Sequence, residues 1–541
     1  MANPIVIQKG LRLGELDAEA DTDLLGACFV DNGQLSDLLN LNSPQSVVLG
    51  RTGSGKSAML FQIQAQSEKS ALLDPNDISI SFLEHSNIIQ FFNELGVRLD
   101  LFYRILWRHI LVVELLKLRY ELRNENESRS FLQRITEWVQ LDPVRKRAFE
   151  YFSEWGDRFW LETDEQLVEL TNKFTEDLKA GLETEFSGVD ISLQGAKNLS
   201  EESRVEVKSL ATQVVSGIQI KKLNEVLELI RDYAFNDSQK RFYILIDKLD
   251  ENWAESETRY RFIRSLVEET KSLRNIPQVK IVTALRVDLL NTVFDKTREA
   301  GFQEEKYEAY LSTIRWSKQD LRNDLNNRVK EVFRRKYSGK NVDMIEIFPK
   351  QKKGHDGDAL DFILDRTLMR PRDVIQFANE CFALAADTNR LTWRNMSAAE
   401  ASYSSKRLNS LFEEWDEYYP SLPIVIELVR SLNSEFTRSS VVSSKLQDSI
   451  GELSNLNVDD SLIRIAKSMY DPNAKTTEAD FLSEVLRCLY HVGAIGIKIK
   501  KNDTYRWSHL DQPRVTKSEV KRTTNIKVHK MLRHALESST Q

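Results

Sequence analysis

Cysteine is nearly missing from this sequence: Cys28, Cys381 and Cys488 are the only three in 541 residues, and no two share a C-x-x-C spacing. Neither a disulfide framework nor a zinc site has the ligands it needs, so a reducing compartment is expected. Proline (11) and glycine (20) are also scarce, which leaves long tracts with nothing to interrupt a helix. No strong charge of one sign is present. The net charge of −7 offers no global attraction for nucleic acid or an acidic membrane. A long hydrophobic run is missing too. The best candidate, residues 105–118, is broken by Arg108, Glu114 and Lys117, whereas a span needs about 20 apolar residues. It reads as a buried core helix. The opening Met1-Ala2-Asn3-Pro4 has no basic region ahead of an apolar stretch, so no signal peptide is expected. The expectation is a soluble, cytoplasmic chain without a membrane partner, long enough for roughly three or four domains.

What is present begins with a short β-branched run, residues 46–49, followed by Gly50-Arg51-Thr52-Gly53-Ser54-Gly55-Lys56-Ser57. Residues 58–66 lack Gly and Pro and predict a helix. Strand, glycine loop and helix together are the context a P-loop requires. Its glycines let backbone N–H groups close around phosphates where a Cβ would clash, and the helix N-terminus adds positive potential. Lys56 is then expected on the β- and γ-phosphates and the Ser57 hydroxyl on magnesium. ATP and Mg2+ are the cofactors this motif predicts.

A second strand is predicted at 78–83. From 87 to 236 the apolar spacing turns helical, with an acidic middle around 162–206, and predicts a large helical insertion. Trp107, Trp138, Trp155 and Trp160 lie here and are read as packing residues. The α/β pattern resumes with a strand at 242–247 that ends in Asp247, then a helix at 258–273 and a strand at 279–284. A fifth strand is read at 310–316 and a helix at 318–335. Residues 340–358 read as a boundary loop. Helices follow to 492, and alternation at 495–499 and 504–508 suggests a hairpin.

Asp247, at a strand tip, is the candidate magnesium ligand of Walker-B type. Lys248 follows it, where many P-loop ATPases carry Glu. That leaves Asp250 and Glu251 to orient the attacking water, unless they only cap the next helix. Arg286, after the strand at 279–284, and Arg372, in Arg370-Pro371-Arg372-Asp373, are candidate phosphate sensors; surface ion pairs are the alternative for both.

Taken in order, these pieces resemble an additional-strand P-loop ATPase of the origin-recognition and STAND type. The tail, from 481 through the expected hairpin, resembles a winged helix. The resemblance implies an α/β fold: a P-loop NTPase core with a parallel sheet (1–86 and 237–340), the helical insertion (87–236), a helical domain (341–415) and a winged-helix domain with a basic tail (416–541). It implies an ATPase, with Lys248 arguing against fast turnover, that acts as a switch, homo-oligomerises and controls a separately encoded effector, as in bacterial antiviral systems. The alternative is a DNA-binding ATPase that uses the cations between Lys498 and Lys530, with Trp507 among them, against backbone phosphates. A small-molecule kinase fits less well, because the helical additions exceed what one needs.

Overall fold

The computed structural model describes residues 5–74, 87–97, 99–141, 146–159, 192–217, 220–250, 256–298, 303–337, 342–351 and 357–537, with isolated positions between 161 and 180. The chain divides into two compact units. A sheet unit holds residues 31–51 and 56–315, and a C-terminal unit holds 1–30, 52–55 and 316–541.

Among the described residues, the sheet unit is built on five strands: β1 (Val47–Gly50), β2 (Lys69–Leu73), β3 (Phe242–Ile246), β4 (Val279–Arg286) and β5 (Leu311–Thr313). They pair in parallel in the order β2-β3-β4-β1-β5. Parallel strands are covered on both faces, which is why β3 is uninterrupted Phe-Tyr-Ile-Leu-Ile and wholly buried. Among the described residues, β2 neighbours β3 alone and leaves Leu72 exposed, so its weak apolar pattern suffices. The second strand predicted at 78–83 lies outside the described residues.

Helix α1 (Lys56–Gln66) starts where the glycine loop ends. Helix α2 (Asp100–Tyr120) contains the apolar stretch read as a core helix and is buried along most of its length. Its interrupting charges are paired. Arg104 and Arg108 converge on Glu269, at 2.7 and 2.6 Å, from α3 (Ser256–Leu273). Glu114 pairs with Lys117 at 2.9 Å. Trp107 packs on Phe262 with ring centres 4.5 Å apart and donates its indole N–H to the Phe262 carbonyl. Trp107 and Trp155 are core residues; the side chains of Trp138 and Trp160 lie outside the description. Among the described residues no helix is long and apolar enough to cross a membrane.

In the C-terminal unit, α4 (Lys318–Lys336) opens on a Ser317/Asp320 capping box. Helix α5 (Pro371–Ala383) opens on proline at its first position. Helix α6 (Trp393–Trp415) opens on a Thr392/Asn395 box. Phe377 of α5 stacks on Tyr403 of α6 at 4.5 Å. The N-terminal strap belongs to this unit. Leu13 N–H donates to Asn379 Oδ1, Asn379 Nδ2 to the Gly14 carbonyl, and Arg328 meets Asp21 at 2.7 Å. The expected segment 1–86 is thus divided between the units.

Further along come β6 (Glu435–Phe436), helix α7 (Glu478–His491), β7 (Ile495–Lys498) and β8 (Asn525–Val528). They form an antiparallel sheet in the order β6-β8-β7. The hairpin expected between 495–499 and 504–508 reduces to one bridge, Ile497 to Arg506; the main partner of β7 is β8. The alternation at 504–508 serves packing instead. Trp507 lies so close over Gly496 that an added Cβ would sit 2.7 Å from its ring, and it meets the His529 ring edge-on at 5.0 Å.

His529 is buried, and its Nδ1 accepts from the Met531 amide. Burial pushes its pKa from 6.5 down to about 3. The folded ring stays neutral while the unfolded one takes up a proton. The contribution of His529 to stability is therefore complete above pH 6.5 and is lost as the pH falls toward 3, at up to about 1.4 kcal/mol per pH unit. Denaturant melts between pH 6.5 and about 4 should show that slope, flattened in His529→Asn. Equal slopes in the two proteins would contradict it.

Candidate functional site

In the sheet unit, β1 ends at Gly50, whose register partner is Arg286 at the end of β4. Asp247 follows the last residue of β3. Three of the residues singled out from sequence therefore lie at the carboxyl ends of adjacent parallel strands. In open α/β sheets this edge takes ligands where the strand order reverses, and here the chain leaves β1 for the far edge at β2 before it returns through β3 and β4.

Lys56 and Ser57 begin α1. Lys56 is 8% exposed, and its ammonium lies 3.9 Å from Asp250, longer than a hydrogen bond. Burial lowers its pKa; Asp250 and Asp247 pull the other way, and Arg286 and Asp288 also act on it. Asp247 is 7% exposed. Burial raises its carboxyl pKa, against hydrogen bonds from the Ser57 hydroxyl and the Lys248 amide. The Lys248 amide donates to Asp247 Oδ1 at 2.9 Å, from a residue with φ of 57°. The same left-handed turn leaves the Lys248 ammonium on Asp74 at 2.8 Å. Lys56, Ser57, Asp247 and Asp250 thus form one cluster, with Arg286 in electrostatic range. Arg286 forms a two-point ion pair with buried Asp288, at 2.6 and 3.3 Å. Glu251 lies outside the described residues.

The loop residues Thr52, Gly53, Ser54 and Gly55 group with the C-terminal unit; Gly50 and Arg51 group with the sheet unit. Gly53 and Gly55 have φ of +74° and +96°, which L side chains rarely adopt. Three consecutive loop carbonyls are bonded. Arg370 Nη1 donates to Thr52 O at 2.7 Å, the Arg372 amide to Gly53 O at 3.4 Å, and Trp316 Nε1 to Ser54 O at 2.8 Å. Gly53 is needed twice over, because an added Cβ would lie 2.8 Å from Arg372 Cβ. The Arg372 Nε itself donates to Leu16 O. Ser54 is 5% exposed, and among the described residues its hydroxyl has no hydrogen-bond partner.

Arg370 is anchored by Asp373 through two bonds of 3.0 Å and by Glu414 at 3.1 Å, with Arg407 3.7 Å from Asp373. Burial alone would raise the Asp373 carboxyl; Arg370 and Arg407 outweigh it and hold it well below the usual carboxylate range.

Sequence reasoning passed over Trp316, Arg370 and the Lys248–Asp74 pair. The Arg370-Pro371-Arg372-Asp373 run did signal a helix start. Which arginine would meet the loop through its side chain was a matter of tertiary packing. The basic tail is partly neutralised. Lys521 pairs with Asp480, Lys527 with Glu435, Lys530 with Asp365 and Arg506 with Glu519, while Lys500, Lys501, Lys517 and Arg522 are exposed.

These residues can be set beside known proteins. Residues 319–412 match a FunZ-associated C-terminal helical domain, a stretch that includes Arg370, Arg372, Asp373 and Arg407. Over 525 residues the chain is 24% identical to the "Putative transposon gamma-delta 80.3 kDa protein" of Escherichia coli (strain K12), which covers 93% of this chain and 64% of that protein. Over 76 residues, 14% of this chain, it is 37% identical to "Allergen Alt a 2" of Alternaria alternata, across 40% of that protein. The chain therefore spans less than two thirds of the length of either relative. None of the three names refers to a P-loop or STAND-type ATPase.

Proposed function

We propose that this chain is an ATP- and magnesium-binding switch with slow hydrolysis, of the additional-strand P-loop type, that controls a separate protein partner. The observation that carries the reading is the cluster at the carboxyl edge of the sheet: a buried Lys56 ammonium beside Asp247 and Asp250, with the Ser57 hydroxyl on the Asp247 carboxylate. The strand β4 between β1 and β3 supports it, since a strand between the P-loop strand and the Walker-B strand is what the type is named for.

The residues fit the groups the reading requires. Ser57 and Asp247 are oxygen ligands of the hard kind that magnesium prefers. Lys56 is a cation whose burial costs energy unless anionic charge offsets it. Bound magnesium would neutralise phosphate charge during transfer. The chain's own work is then to hold phosphate through the loop amides and Lys56. Asp250, or Glu251, orients water. Arg286 is offered as the phosphate sensor, for which it must exchange Asp288 for phosphate oxygen. Lys248, tied to Asp74, puts a cation where many such enzymes have a base, which fits slow turnover. Arg372 is a weaker sensor candidate, because its Nε is engaged by Leu16.

The switch part rests on the bonds from Trp316, Arg370 and Arg372 to the loop backbone. A change in the loop's peptide planes is transmitted directly to α5. The DNA-binding alternative has less support, because four of its cations are paired and the first turn of α7 carries Glu478 and Asp480.

Asp250→Asn and Glu251→Gln are expected to leave ATP affinity within about threefold while one of them lowers turnover by about 100-fold. Single-turnover hydrolysis and equilibrium binding measure the two separately. Unchanged turnover in both variants would remove these acids from the mechanism. Light scattering with and without ATP tests assembly. Turnover raised several-fold by duplex DNA, with binding that falls steeply in salt, would favour the alternative.

A further inference from the structure

A peptide unit is planar and trans, so its C=O and the following N–H point in opposite directions. The bonds to Thr52 O, Gly53 O and Ser54 O therefore fix three successive peptide planes. With them they fix the directions of the Gly53, Ser54 and Gly55 amides, aimed away from the three donors. Among the described residues, none accepts from these amides. The Ser54 hydroxyl in the same stretch is buried and, among the described residues, has no hydrogen-bond partner. Gly53 and Gly55, both at positive φ, alternate with Ser54, and successive amides in such turns form anion-binding concavities.

Each donor comes from a segment far away in sequence. Trp316 is half-buried just ahead of α4, and its indole N–H reaches Ser54 O from a ring packed on the core of the C-terminal unit. Gly55 leaves it room, since an added Cβ would stand 3.7 Å from the ring. Arg370 reaches Thr52 O from the N-terminus of α5, with its guanidinium braced by Asp373 and Glu414.

We infer that Trp316 and Arg370 are positioning residues for phosphate binding: they grip the outer, carbonyl side of the glycine loop and so pre-set its amides for the triphosphate. The inference rests on the ATP-binding reading above and adds to it. The residues act through the loop and touch no phosphate themselves. Preorganisation of this kind raises affinity because the ordering cost is met before the ligand arrives.

Trp316→Phe keeps an aromatic ring and removes the N–H. It is expected to weaken both ATP and inorganic tripolyphosphate about five- to tenfold, the worth of one net hydrogen bond, with the melting temperature of the nucleotide-free full chain lowered by only about 2–4 °C. Tripolyphosphate is the informative probe, because it has no base or ribose to compensate. Should Trp316→Phe fail to fold, the sulfur analogue of tryptophan (benzothienylalanine) placed at position 316 keeps the shape and deletes only the donor. Wild-type affinity for both probes in the sulfur analogue overturns the inference and leaves the ATP-binding reading standing. A wild-type chain that binds neither probe overturns both.

Discussion

Lys56→Ala is expected to lower ATP affinity by about 100-fold or more, the usual scale for truncating one partner of a buried charge pair. The ammonium is almost fully enclosed and is flanked by Asp247 and Asp250. A phosphate chain entering beside those carboxylates needs a cation between them, and truncation leaves the anions facing one another. Equilibrium binding of a fluorescent ATP analogue, with circular dichroism as the control for folding, measures the effect. Wild-type affinity in a folded variant would remove the P-loop role. Lys56→Arg is a useful companion: it keeps the charge but brings a larger planar group into an enclosed position, and it should bind more weakly than wild type.

Arg370→Ala carries the second large effect, here on stability. Arg370, Asp373, Arg407 and Glu414 form a buried set with two charges of each sign. Removing one guanidinium leaves an uncompensated carboxylate where water does not reach, at a cost of about 3–5 kcal/mol. The double variant Arg370→Met/Asp373→Leu removes one charge of each sign and should cost clearly less than Arg370→Ala alone, because desolvation is relieved along with the attraction. Thermal and urea unfolding of the full chain measure both. If the double variant is the less stable of the two, the charge-balance argument fails. Nucleotide affinity should fall in both, since each loses the bond to Thr52 O.

Much of the core was legible in sequence because its signals are local or nearly so. The run 242–247 announces a doubly covered strand by being apolar at every position but the last, and it is β3. The 3.6-residue apolar spacing of 258–273 returns as α3, and the short element at 310–316 returns as the three-residue β5. The hairpin at 504–508 misled because period-two alternation marks any extended segment with one packed face. Between Tyr505 and Trp507, Arg506 exchanges two backbone bonds with Ile497, and the pairing goes no further among the described residues. The weak edge strand β2 escaped notice because an edge position asks little of its side chains.

The sequence by itself determined the glycine loop, the strand that delivers Asp247 and the helix start at Pro371, since each depends on neighbours a few residues apart. Only the tertiary structure decided which carboxylates flank Lys56, that Lys248 is held by Asp74, and that Trp316 and Arg370 hold the loop's carbonyls. Those partners lie up to about three hundred residues apart in the chain. No periodicity or spacing encodes such a meeting, because it arises when separately specified elements bury their faces and the polar groups left between them must find one another.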